Sequence, residues 1–305
     1  MMEAIEVKDL SKHFDGVNAV DRVTFNVHEG EIFGFLGPNG AGKTTTVRML
    51  TGVIKPDSGE ARVMGRDIVS DTQRVKEVLG VVPETANAYA DLTAWGNMML
   101  IASLYSIPRR EGERRATTLL KEFGIYERRS SKVKGFSKGM KQRLMLSMAL
   151  VSDPEVLFLD EPTSGLDVQS ARSIRQRIKE LQKERKTVFL TSHNMQEVGE
   201  LCDRVGIINK GKMVTVDSPE HLRTRIGGSL AVEVRLDKVV DLGRLDFSAE
   251  RVGDNYRIYT TEPHEVIRSI VGFATLNGLK ILSLNVQPPS LEDVFVKLTG
   301  GSNGQ

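Results

Sequence analysis

The stretch Gly37-Pro38-Asn39-Gly40-Ala41-Gly42-Lys43-Thr44 constrains this chain more than any other. It fits the phosphate-loop pattern G-x-x-x-x-G-K-[ST] without a mismatch. The apolar run Glu31-Ile32-Phe33-Gly34-Phe35-Leu36 before it reads as a strand, and Thr45 to Leu50 after it continues as a helix. Strand, loop and helix form the context such a loop needs. Its glycines let backbone N–H groups turn toward phosphates at a helix N-terminus, where the dipole favours negative charge. Residues Gly37 to Thr45 are therefore the candidate nucleotide-binding segment. Lys43 reaches toward the β- and γ-phosphates of a nucleoside triphosphate, expected to be ATP, and the Thr44 hydroxyl toward Mg²⁺.

A second run, Val156-Leu157-Phe158-Leu159, delivers Asp160 and Glu161 to the carboxyl end of a strand, where open α/β sheets bind ligands. Two adjacent acids also suit the start of a helix. Pro162 and the upstream loop favour the nucleotide reading: Asp160 holds Mg²⁺ through its water shell, and Glu161 orients and deprotonates an attacking water.

The remaining pattern is that of a two-part chain. Short alternating runs from Ile5 to Val27 read as a small antiparallel β layer. From about Asp91 to Ala149 helical patterning dominates, as in Trp95 to Tyr105 and Glu111 to Phe123, and reads as a helical subdomain inserted between strands. Val156 to Leu159, a charged helix from Ser170 to Lys186, and Thr187 to Thr191 then resume an α/β sheet covered on both faces. Gly227-Gly228-Ser229 is a candidate linker. The expected division is 1–226, a small α+β domain over 227–300, and a disordered tail over 301–305. That α+β domain takes strands at 231–236, 256–259 and 281–286, a helix from Glu265 to Leu276, and a last helix from Leu291 capped by Ser290.

Here a resemblance becomes specific. Phe136-Ser137-Lys138-Gly139-Met140-Lys141-Gln142 resembles the signature of ATP-binding-cassette (ABC) ATPases, Ser164-Gly165-Leu166-Asp167 their D-loop, and His193 their switch histidine. The motifs run in the family's order between about Glu3 and Pro219. The resemblance implies a phosphate-loop ABC ATPase fold, with Ser137 and Gly139 completing the ATP site of a second copy, head to tail, and Asp167 of the D-loop among the nucleotide-binding residues. By itself Ser137 is an ordinary helix cap, a role compatible with the other. A lone histidine after a strand usually serves as a structural hydrogen bonder; the resemblance makes His193 a γ-phosphate sensor. Where the family usually has glutamine after the strand Leu79 to Pro83, this chain has Glu84, a carboxylate able to bind Mg²⁺ or its water. The aromatic residue for stacking on adenine is Phe14, whose other reading is a core residue of the β layer. The signature variant, with Lys138 and Met140, and the ending Ser290-Leu291-Glu292-Asp293-Val294-Phe295 resemble ATPase subunits of drug, antibiotic and polysaccharide exporters. Their integral-membrane permeases are separate chains.

Composition narrows the alternatives. In 305 residues, 42 basic side chains against 40 acidic ones give a net charge of +2, not the footprint of a nucleic-acid binder. A soluble ABC ATPase acting on ribosomes or nucleic acid is the rival reading, without the tandem cassette or the coiled-coil or zinc insertions of such proteins. The C-terminal domain could regulate, dimerise or stabilise. One cysteine, Cys202, suits a reducing compartment and reads as a small buried residue. With no run near the ~18 apolar residues of a membrane helix and no signal peptide at the start, the expectation is a cytoplasmic protein, reaching the membrane only through a partner.

Overall fold

The computed structural model describes residues 2–85, 88–224, 230–240 and 247–299. The candidate linker at 227–229 and the tail at 301–305 lie outside them. Contacts gather the chain into two units, Met1–Val216 and Asp217–Gln305.

The first unit begins with β1 (Glu3–Phe14), β2 (Val17–His28), β3 (Ile32–Leu36), α1 (Lys43–Leu50), β4 (Ser58–Val63), β5 (Arg66–Asp67), α2 (Thr72–Glu77) and β6 (Leu79–Val82). It continues with α3 (Ala94–Leu104), α4 (Arg109–Glu122), α5 (Lys138–Leu150), β7 (Val156–Asp160), α6 (Val168–Lys183), β8 (Thr187–Ser192), α7 (Met195–Leu201), β9 (Arg204–Asn209) and β10 (Lys212–Asp217). Two sheets result. The outer one, in the order β2-β1-β4-β5, is antiparallel. The central one runs β10-β9-β3-β8-β7-β6 and is parallel at each pairing from β9 to β6.

β3, β7 and β8 are buried along their whole length, which is why they read as continuous apolar runs. Between the sheets Phe25 of β2 meets Phe33 and Phe35 of β3 and Phe189 of β8, and Phe189 meets Phe158 of β7. Their ring centroids lie 5.2 to 5.9 Å apart. This aromatic layer fixes the outer sheet on the strand that feeds the phosphate loop.

The segment from α3 to α5 contains no long strand, as its pattern predicts, and Thr93 caps α3 by accepting from Gly96 N at 2.9 Å. α5 is buried on nearly every side. Gly139, Gln142, Leu144, Met145, Leu146, Ser147, Met148 and Leu150 are all buried, because α5 lies among α3, α4, β6 and α6. Cys202 is buried as expected and ends α7.

The second unit contains α8 (Pro219–Thr224), β11 (Leu230–Leu236), β12 (Glu250–Val252), β13 (Asn255–Thr260), α9 (Pro263–Leu276), β14 (Ile281–Gln287) and α10 (Leu291–Thr299). Its antiparallel sheet runs β12-β13-β11-β14. Val232, Val234, Tyr256 and Ile258 pack with Val266, Ile270 and Ala274 of α9 into a separate core. Arg257 pairs with Glu233 and, at 2.7 Å, with Asp293 of α10. Asp293 and Ser290 form a reciprocal cap at the start of α10. Among the described residues no helix is long and apolar enough to cross a membrane.

Candidate nucleotide-binding site

The phosphate loop leaves β3 and turns into α1 at Gly42, whose φ of 106° is accessible without strain only to glycine. A Cβ there would also stand 2.4 Å from the Ala19 carbonyl oxygen. Lys43 follows, only 7% exposed. Its Nζ donates to the carbonyl oxygens of Gly37 at 2.7 Å and Pro38 at 3.3 Å. Burial pulls the Lys43 pKa down, and the charges of Glu161, Asp160 and Glu84 oppose that pull. The ammonium therefore sits at the loop, held by weak carbonyl acceptors that an anionic phosphate would outcompete.

β7 and β8 supply the acids and their support. Parallel register sets Asp160 beside Thr191. Asp160, 5% exposed, accepts from Thr191 Oγ1 at 2.5 Å and from Thr44 Oγ1 at 3.3 Å. The next residue, Glu161, has φ of 53°, a left-handed conformation that costs a residue with a side chain on the order of 1–3 kcal/mol. It is held there by its N–H, which donates to both the carbonyl and the hydroxyl oxygen of Thr191 at 3.2 Å. This turn aims the carboxylate at the loop. Glu161 Oε1 lies 3.9 Å from Lys43 Nζ, and Oε2 lies 2.9 Å from His193 Nδ1. His193 leaves the end of β8 just before Asn194, whose side chain caps α7 by accepting from Glu197 N at 3.0 Å.

These groups share one cleft of about 630 Å³. Pro38, Asn39, Gly40, Gly42, Lys43, Thr44, Thr45, Glu84, Asp160, Glu161 and His193 line it, as does Ser164 at the head of the D-loop motif. Gly37 and Ala41 belong to the same loop, without lining the cleft. Ala19 also lines it, and Thr191 supports it from behind; neither is among the residues picked out by sequence. Ser164 had a signal in its motif, Ala19 had none.

Phe14, Ser137, Gly139 and Asp167 do not line the cleft. Phe14 ends β1, 45% exposed and so not a core residue, with Lys12 Nζ 5.5 Å from its ring centroid. Ser137 caps α5, accepting from Met140 N at 3.2 Å. Asp167 caps α6, accepting from Ser170 N at 2.8 Å, and that bond leads in holding its carboxyl below the ordinary range. The two helix starts touch: a Cβ on Gly139 would fall 2.6 Å from Ser170 Oγ. Signature and D-loop thus form one surface at paired helix N-termini.

A half-buried hydroxyl and a buried carboxylate in contact are hard oxygen donors of the kind Mg²⁺ takes when phosphates and waters complete its shell, so Thr44 and Asp160 fit that ion. Fold and site define a phosphate-loop ATPase. Residues 20–164 match the family described as ABC transporter. The linearmycin resistance ATP-binding protein LnrL of Bacillus subtilis is 35% identical, the match covering 97% of this chain and 98% of that one. The Nod factor export ATP-binding protein I of Ralstonia nicotianae is also 35% identical, over 97% of this chain and 94% of that one. Among solved structures, an ATP-binding subunit of an ABC transporter superposes with a TM-score of 0.68 at 32% identity, covering 73% of this chain and 93% of that one. An ATP-binding cassette solved as a dimer in a post-hydrolysis state with ADP and Pi gives 0.64 at 25% identity, over 70% and 98%. The chain belongs to the ATP-binding proteins of ABC transporters, ATPases that power transport.

Proposed function

We propose that this chain is the motor subunit of an exporter. It pairs with a second cassette, closes on ATP and Mg²⁺, and drives a separate integral-membrane permease from the cytoplasmic face. The observation that carries the chemistry is the Glu161 carboxylate, fixed between His193 Nδ1 and Lys43 Nζ in the cleft. The names of the relatives, one for resistance to an antibiotic and one for export of Nod factor, support outward transport of an antibiotic, drug, lipid or polysaccharide.

In this reading Lys43 leaves the carbonyl oxygens of Gly37 and Pro38 and pairs with the β- and γ-phosphates. Backbone N–H groups from Gly40 to Thr45 receive the remaining charge. Thr44 and Asp160 would hold Mg²⁺, with Glu84 of the same cleft able to bind the ion or its water, and the ion would supply neutralisation of charge on the phosphates. Glu161 orients a water in line with the γ-phosphorus and takes its proton as the bond to the ADP oxygen breaks. His193 holds the γ-phosphate and orients Glu161. Phe14 offers its exposed ring to adenine. Ser137, Gly139 and Asp167 cover the ATP of the partner copy.

Replacing Glu161 tests the core of this reading. Glu161→Gln keeps the shape and removes the base, so turnover falls by about 10²–10⁴-fold while ATP still binds. Turnover at the level of the unaltered protein rejects the assignment. Isolation with a multi-helix membrane protein supports the transport role, and sedimentation with ribosomes or DNA instead overturns it.

A further inference from the structure

Glu197 is a buried carboxylate that the chemistry above leaves unused. It lies in the first turn of α7, 5% exposed and four residues after His193. A carboxylate at that depth persists only with partners, and its partners come from two other elements. Its Oε2 accepts a 2.6 Å hydrogen bond from Thr163 Oγ1, and its Oε1 lies 3.6 Å from Arg175 Nη1. Thr163 belongs to the turn that leads from Glu161 to Asp167, closed by Ser164 N to Glu161 O and by Leu166 N to Thr163 O. Arg175 sits about two turns into α6, the helix that Asp167 caps. α7 itself is firmly seated, since Val198 and Cys202 lie where a Cβ on Gly34 of β3 would have to go.

We propose that Glu197 is a positioning residue. Through Thr163 and Arg175 it locks the His193 segment, the Glu161 turn and the middle of α6 together, so that Glu161 Oε2 and His193 Nδ1 keep their 2.9 Å contact. The strained backbone of Glu161 persists only while its surroundings hold it from both sides. Thr191 holds the preceding side, and the Thr163 hydroxyl on Glu197 is the first side-chain anchor after it. Release of Thr163 lets the turn relax and swings the carboxylate off the line of attack. The inference rests on the roles proposed for Glu161 and His193. The competing reading is a buried pair that serves stability alone, which substitution can remove without touching turnover.

The test compares Thr163→Val, Glu197→Ala, Glu197→Gln and the double variant Thr163→Val/Glu197→Ala in the full chain. It measures kcat, KM for ATP, ATP affinity and thermal midpoint. Thr163→Val and Glu197→Ala each lower kcat about 10- to 100-fold, the range for misplacing a catalytic group by about 1 Å. KM and ATP affinity hold, because the loss falls in the transition state. Glu197→Gln keeps an acceptor for Thr163 and restores most of kcat. The double variant is no slower than the slower single one, because both act through one contact. A folded Thr163→Val with kcat within about twofold of the unaltered protein overturns the proposal, as does a double loss equal to the product of the single losses. If Glu197→Ala does not fold, Thr163→Val and Glu197→Gln still decide. Glu161→Gln separates the two readings: normal turnover there rejects the site assignment, while loss there with normal turnover in Thr163→Val rejects only the role of Glu197.

Discussion

Thr191 bonds the Asp160 carboxylate with its hydroxyl and accepts the Glu161 N–H with both of its oxygens, so one side chain sets the pose of both acids. Thr191→Val keeps the shape and deletes the hydroxyl. A hydrogen bond to a buried charge is worth about 1.5–3 kcal/mol, so the thermal midpoint falls and Asp160 is left free to turn from Thr44. The Mg²⁺ concentration for half-maximal turnover rises in consequence; a titration identical to that of the unaltered protein refutes the role. The residues of the loop, Asp160 and Glu161 were legible in sequence because their chemistry is tied to local spacing, whereas His193 was singled out by the family resemblance alone. Thr191 was not, because its role arises from the pairing of β7 with β8, which no stretch of sequence encodes alone. Ala19 was hidden for the same reason: it meets the loop only because the outer sheet packs over β3.

At the scale of elements, α7 has to press against β3 for His193 to stand over the cleft, and Gly34 makes room for it. A Cβ at Gly34 would fall 2.6 Å from Val198 Cγ1 and 2.8 Å from Cys202 Sγ, in a strand with no space to yield. Gly34→Ala therefore costs about 1–3 kcal/mol through overpacking, a drop of about 2–4 °C in thermal midpoint for each kcal/mol in a unit of this size. An unchanged midpoint contradicts the packing account. The elements nearest the site were readable because β3, β7 and β8 are continuous apolar runs that begin and end beside chemical motifs. β4 was not: Ser58-Gly59-Glu60-Ala61-Arg62-Val63 buries only Ala61 and Val63 and takes its strand form from pairing with β1. The depth of α5 was not legible either. Its apolar face is real, and the opposite face is buried too, by neighbours that the periodicity of one helix cannot announce.

For the whole molecule, the cleft within one chain contains the phosphate loop and both acids, yet Ser137 and Asp167 stand exposed at helix starts outside it, with Gly139 of α5 buried against Ser170. Under the proposed pairing an isolated copy has two half-sites, and two copies related by a two-fold axis would complete both at once. Mixing two defective copies distinguishes this from a site complete within one chain. Ser137→Arg leaves the loop intact and blocks the surface offered to the partner; Lys43→Ala does the reverse. Either variant alone is inactive. When they are mixed, the loop of the Ser137→Arg copy meets the intact Ser137 of the Lys43→Ala copy, and one site in each mixed pair is whole. Random pairing at equal amounts makes half of the pairs mixed, so activity returns to at most about a quarter of the unaltered level. A mixture no more active than its components places Lys43 and Ser137 in the same chain's site and rejects the head-to-tail pairing.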